Sequence, residues 1–176
     1  MHIICEGEKT VLREVELGDV DDVVRWKKDK LVGRMALDPD TEVTLEGQKQ
    51  DISKAVESDS QLYLIIQVKE NGQPVGYVRI NWMDVSRRFA WLRFALGEES
   101  ARRKGYAKDA LMALLSHLFS KGMHRIEAEV FEYNTASLKL LSSLGFRREG
   151  LKRKAHYDGD DYFNIVVFGL LSGELR

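Results

Sequence analysis

The stretch Arg102-Arg103-Lys104-Gly105-Tyr106-Ala107 concentrates three cations and a glycine immediately ahead of a helical pattern. Gly105 admits backbone angles that side chains resist, and Ala107 is small enough to let a ligand approach the main chain. Successive N–H groups at a helix N-terminus surround a phosphate, and the helix dipole adds favourable potential. Arg102, Arg103 and Lys104 bring charge to the same place. The spacing Arg-x-x-Gly-x-Ala therefore predicts a diphosphate site. Taken alone, it equally suits a basic turn that only caps a helix.

Such a loop needs rigid elements on both sides. Upstream, Phe89 to Gly97 alternates Ala90, Leu92, Phe94 and Leu96 and reads as a strand. Downstream, Ala107, Ala110, Leu111, Leu114, Leu115 and Leu118 form a helical stripe that ends at Lys121-Gly122. Arg125 to Phe131 is then a strand, and Asn134 caps a helix running through Leu144, with Gly145 in the left-handed stop position. The earlier chain reads as a strand over Thr10 to Glu16, a helix from Asp19 through Trp26, a loop from Met35 to Val43 and a helix from Leu45 to Ser58. Strands over Gln61 to Lys69 and Pro74 to Met83 meet at the turn Glu70-Asn71-Gly72-Gln73. Arg148 to His156 and Asp161 to Leu171 flank the hairpin signal Asp158-Gly159. The order β-α-α-β-β-β-α-β-α-β-β is that of an α/β domain with a mixed sheet.

At 176 residues, without repeats or linker-like tracts, the chain reads as a single domain over 1–176. Its 27 basic and 28 acidic residues leave a net charge of -1, which argues against a general nucleic-acid binder. The balance conceals an asymmetry. Residues 1–100 carry 14 Lys/Arg against 19 Asp/Glu, and residues 101–176 carry 13 against 9. The longest apolar run, Ile165 to Leu171, is far shorter than the roughly 20 residues that span a bilayer. With a lone Cys5 and no signal-peptide pattern, a reducing cytoplasmic setting is expected. His2, His117, His124 and His156 show no metal-ligand spacing, so no metal is expected.

Taken together, the 102–107 loop, the Asn134-Thr135-Ala136-Ser137 helix start and the Leu144-Gly145-Phe146 ending resemble the GNAT superfamily of acetyl-CoA-dependent N-acetyltransferases. Within it, the chain is most similar to the Rim-type branch of ribosomal-protein N-terminal and small-amine acetyltransferases. The likeness extends to Val11-Leu12-Arg13-Glu14 and to Trp26. It implies a GNAT-like domain with a mixed, mostly antiparallel sheet of about seven strands and about four helices. The resemblance implies that Phe94, Ala95 and Leu96 bind the pantetheine arm through their backbone. It places the diphosphate on the amides of Arg103, Lys104, Gly105, Tyr106 and Ala107, with Arg102 opening the motif. It implies direct attack of an amine on the acetyl thioester in a ternary complex, without an acyl-enzyme.

Direct attack needs a neutral amine, a stabilised oxyanion and a proton for the departing thiolate. The Leu96 N–H is the candidate for polarising the carbonyl. Many family members protonate the thiolate with a tyrosine where this chain has Leu141, and the Rim-type pattern points instead to Ser137. Asn134 is expected to position cofactor or water, although both residues also suit plain helix capping. Many relatives place a glutamate base where this chain has Trp91, which leaves Glu129 as the candidate, alongside its reading as a solvated strand residue. The acceptor is expected to be a protein N-terminal amine, a polyamine or other small amine, or an amino sugar. Asp38, Asp40, Glu42 and Glu46 are candidates for holding a cationic acceptor, or simply a polar loop. The cluster Arg147, Arg148, Lys152, Arg153 and Lys154 reads as an exposed hairpin face, with no nucleic acid expected. The resemblance also offers a homodimer. A competing reading is a catalytically weak CoA-binding sensor or scaffold of the same fold.

Overall fold

A computed structural model describes residues 2–36 and 43–176. Eight strands join one sheet in the order β1-β2-β3-β4-β5-β6-β8-β7. They are β1 (Ile3–Glu6), β2 (Thr10–Glu14), β3 (Leu62–Val68), β4 (Pro74–Asp84), β5 (Phe89–Leu96), β6 (Arg125–Phe131), β7 (Arg147–Tyr157) and β8 (Tyr162–Leu171). Every neighbouring pair is antiparallel except β5 and β6, which are parallel. That one parallel pair requires a crossover, supplied by α4 (Tyr106–Ser120). The other helices are α1 (Val20–Lys28), α2 (Lys30–Met35), α3 (Leu45–Val56) and α5 (Thr135–Ser143).

Both faces of the sheet are covered, and β3 displays this most clearly. Leu64 and Ile66 join a core with Leu111, Leu114 and Leu115 of α4, while Tyr63 and Ile65 join a second core with Val23 and Trp26 of α1 and Ile52 of α3. A strand buried on both sides carries apolar residues at successive positions rather than in alternation. Of the expected elements, the strands and the long helix at 106–120 fall where the pattern puts them.

Two features depart from the expectation. The N-terminal residues add β1, an edge strand with a register shift between Ile3 and Cys5. The first helix also breaks: Asp29 leaves helical geometry and its carboxylate accepts from the Leu31 and Val32 amides, capping α2. Met35, expected in a loop, is thus the last residue of a helix. Among the expected acceptor acids, Asp38, Asp40 and Glu42 lie outside the described residues, and Glu46 sits in the exposed first turn of α3. Among the described residues, no helix is long and apolar enough to cross a membrane.

Candidate active site

The parallel pairing of β5 with β6 runs from Phe89↔Arg125 to Leu92↔Ala128 and then stops. Beyond that point each strand follows its other neighbour. β5 stays with β4 to Leu96↔Gly76, and β6 stays with β8 to Phe131↔Ile165. Gly76 permits the tight β4–β5 approach, because a Cβ there would come within 2.2 Å of the Ala95 carbonyl oxygen. The two strands splay, and a cleft of about 490 Å3 opens beside the end of β5, walled on its other side by the start of the helix that follows β6. The Gly97 amide donates to the Val75 carbonyl on β4. Strand alternation therefore turns the peptide groups of Phe94 and Leu96 toward the open edge. Ala95 lines the cleft, but its backbone groups face β4, so the expected trio reduces to two.

Gly105 caps α4 in the left-handed region (φ 84°), and Arg103 is also left-handed (φ 62°). Gly105, Ala107, Lys108, Arg102 and Arg103 line the cleft. The first amides of α4 have no carbonyl within the helix to bond. Small residues, unpaired amides and two guanidinium groups suit a diphosphate, so the residues fit the cofactor the resemblance implies. One expectation needs correction. Lys104 lines a separate groove with Glu8, Lys9 and Tyr106, so its charge is not part of the cleft lining, while the expectation for Tyr106 concerned its amide alone. Lys108 does line the cleft. Its position in the first turn was the available signal for it.

A roof crosses the opening. α2 contributes Leu31, Val32 and Met35 to the lining, and its C-terminal end is tied to the start of α5. The Tyr133 hydroxyl donates to the Arg34 carbonyl at 2.8 Å, and Asn134 Nδ2 donates to the Met35 carbonyl at 3.3 Å. Asn134 Oδ1 accepts from the Ser137 amide at 3.1 Å. Asn134 is thus buried with both ends of its amide engaged. Ser137 lies where the cleft meets a small pocket of about 40 Å3 that also contains Tyr77, Arg93 and Glu129.

That pocket carries the remaining candidates. Glu129 reaches it but is held by Lys152 Nζ at 2.5 Å. Arg93 Nε donates to Asn81, and its guanidinium lies 5.3 Å from the Trp91 ring. Leu141 is fully buried in the larger core, so the position that carries a tyrosine in many relatives serves packing. Cys5 stands on β1, where burial and then nearby Glu6 push its thiol up to about 11. A thiol so shifted is a poor nucleophile at neutral pH. At the other sheet edge, Lys152, Arg153 and Lys154 sit on the exposed strand β7, as expected of a hairpin face.

Glu98, one residue past Gly97, anchors the entry to the loop. It accepts from Trp26 Nε1 at 2.7 Å and pairs with Arg25 at 2.6 Å. The Arg25 hydrogen bond lowers its pKa, against the opposing pull of burial.

A splayed β5–β6 pair beside a glycine-capped helix start is the arrangement that the resemblance implies for an acetyl-CoA-dependent acyltransferase. Residues 9–147 match the family described as acetyltransferase (GNAT) domain, and the chain belongs to that family. Its activity is acetyl-CoA-dependent N-acetyl transfer. The chain is 32% identical over 174 residues to the N-acetyltransferase p20 of Bacillus licheniformis, covering 95% of each. The fold matches that of RimL, the ribosomal L7/L12 alpha-N-protein acetyltransferase, in complex with coenzyme A. The TM-score is 0.86 at 20% identity, over 97% of this chain and 98% of that one. It also matches spermidine N-acetyltransferase from Vibrio cholerae in complex with CoA and spermine, with a TM-score of 0.86 at 16% identity, over 94% and 97% of the two chains.

Proposed function

We propose that the chain, acting as one unit, acetylates a primary amine by direct attack within a ternary complex, with Ser137 as the proton donor to the departing sulfur. The observation that carries this reading is the place of Ser137 at the junction of the large cleft with the small pocket. Acetyl-CoA, when bound, supplies the acetyl thioester. The Gly105, Tyr106 and Ala107 amides with Arg102 and Arg103 hold its diphosphate, and the open edge at Phe94 and Leu96 holds its arm. The Leu96 N–H stabilises charge on the acyl oxygen, a fixed dipole being most effective where water is excluded.

The small pocket receives the amine. Glu129 stands there as the proton acceptor, acting directly or through water, with its carboxylate already engaged by Lys152. A protein α-amine, with a reference pKa of about 8, sheds its proton more readily than a lysine-like amine near 10.4. An amine that sheds its proton readily asks less of a Glu129 already engaged by Lys152, which ranks a protein N-terminus ahead of polyamines. RimL, named as a protein N-terminal acetyltransferase, and the spermidine enzyme are similar in fold and supply both ends of this ranking.

Acetyl-CoA consumption across a panel of N-terminal peptides, polyamines and amino sugars tests the reading. Turnover with peptides above that with polyamines is expected. The engaged Glu129 and the buried Leu141 favour one rival, a CoA-binding sensor. Saturable CoA binding without turnover on any amine establishes that rival instead.

A further inference from the structure

The turn joining β1 to β2 lies against the outer side of the loop that precedes α4. Its backbone converges on one carboxylate. Asp109, in the first turn of α4, accepts from the amides of Glu8 (2.9 Å), Lys9 (3.0 Å) and Thr10 (2.9 Å) and from the Thr10 hydroxyl (2.7 Å). Three of these donors converge on Oδ2 and the Glu8 amide takes Oδ1, so both carboxylate oxygens are engaged. The contact leaves no room for a side chain at Gly7, where a Cβ would fall 2.1 Å from Asp109 Oδ2. Burial pushes the Asp109 carboxyl up, but the Thr10 hydroxyl and the three amides outweigh it and leave its pKa below the ordinary value. The turn is thereby fixed to α4, and Lys9 is carried on it.

Lys9 is exposed, and its ammonium donates to the Lys104 carbonyl at 3.3 Å. It also comes to 3.5 Å from the position of a Cβ on Gly105. Lys9 and Lys104 share one groove, while Gly105 lines both the cleft and the shallow depression that holds Lys9 and Asp109. In a trans peptide the C=O and N–H point in opposite directions. The Lys104 carbonyl faces the Lys9 ammonium and Lys104 is absent from the cleft lining, so the Gly105 N–H points to the side of that peptide away from Lys9. The loop has reason to need such a tether. Arg103 holds a left-handed conformation that non-glycine residues resist, and such conformations persist only where surrounding contacts enforce them.

We infer that Asp109 and Lys9 are positioning residues for the diphosphate loop: Asp109 anchors the β1–β2 turn to α4, and Lys9 sets the Lys104–Gly105 peptide with its N–H facing the bound anion. The inference rests on the reading that this loop takes the diphosphate of CoA. Neither residue touches the reacting atoms.

Calorimetric titration of the full chain with CoA, and separately with pantetheine, which lacks the diphosphate, tests it. Lys9→Met is expected to weaken CoA binding three- to tenfold while changing pantetheine binding less than twofold, with Lys9→Arg restoring the CoA affinity. Asp109→Asn is expected to weaken CoA selectively and by more. In steady state, Lys9→Met is expected to raise KM for acetyl-CoA and to leave kcat and the amine KM unchanged. An equal loss for both ligands, a fall in kcat without a KM effect, or CoA affinity within twofold of the parent overturns the inference. A parent chain that binds no CoA removes the proposed function, and this inference with it. A parent that binds CoA beside a silent Lys9→Met removes the inference alone.

Discussion

Replacing Ser137 with alanine separates chemistry from architecture. The Ser137 side-chain hydroxyl makes no hydrogen bond among the described residues, while the Ser137 amide is bonded to Asn134 Oδ1 and survives the substitution. Removing an unpartnered, half-buried hydroxyl from a helix is expected to change stability by less than about 0.5 kcal/mol. Alanine's higher helix propensity offsets part of any loss. The effect on turnover is set by the proton the hydroxyl delivers. General acids contribute typically about 10²–10⁴-fold. A thiol resembling cysteine, with a pKa near 8.5, leaves tolerably as thiolate, which places the expected loss near the lower end, roughly a hundredfold. That corresponds to about 2.7 kcal/mol in the barrier. The assay combines initial rates of thiol release, CoA titration and a denaturant melt on parent and variant. A hundredfold fall in kcat, with CoA affinity within threefold and an unchanged melt, is expected. Equal turnover clears Ser137 of the acid role. A fall in kcat matched by an equal fall in CoA affinity refutes the reasoning in a different way, by making Ser137 a binding residue.

Other outcomes follow from the same geometry. Asn134→Ala removes the cap on the Ser137 amide and the bond to the Met35 carbonyl; with about 1 kcal/mol expected from each, a loss of roughly 2 kcal/mol in urea unfolding checks it. Gly97→Ala places a Cβ 2.0 Å from Trp26 Cγ, and overpacking against a fully buried indole is expected to lower stability by about 1–3 kcal/mol in the same measurement. The depressed pKa of Asp109 gives a stabilising contribution that is complete above its unfolded value near 3.8 and is lost as pH falls through the lower folded value. Asp109→Asn is therefore expected to be less stable than the parent at neutral pH, with the difference narrowing as acid melts approach and pass below pH 4.

The parts of this molecule that were legible in its sequence are those written by neighbouring residues. The stripe from Ala110 to Leu118 and the Gly105 cap are local patterns, and the helix and its N-terminal loop follow from them. The parts that stayed hidden are too short to carry a periodic signal or depend on partners far along the chain. β1 has too few residues for a periodic signal and exists because β2 offers an edge to pair with. Asp29 sits between lysines in a polar run, and only its bonds to the Leu31 and Val32 amides mark a new helix. Asp109 reads as an ordinary acid in a helix first turn until the β1–β2 turn, about a hundred residues earlier, folds onto it. The same distance separates Asn134 from the Met35 carbonyl, so its role in fastening the roof had no sequence signal. Lys104 looked like part of the anion site because it lies between Arg103 and Gly105, yet it lines a separate groove with Glu8 and Lys9.

The central claim is that the opening between β5 and β6 is the seat of acetyl-CoA and of the transfer itself. A crystal structure of the chain with CoA tests it most directly. The account predicts diphosphate oxygens within hydrogen-bond distance of the Gly105, Tyr106 or Ala107 amides. It also predicts the pantetheine along Phe94 and Leu96 and the thiol beside Ser137 Oγ. CoA bound elsewhere, or its thiol pointing away from Ser137 and the pocket of Glu129, would contradict it.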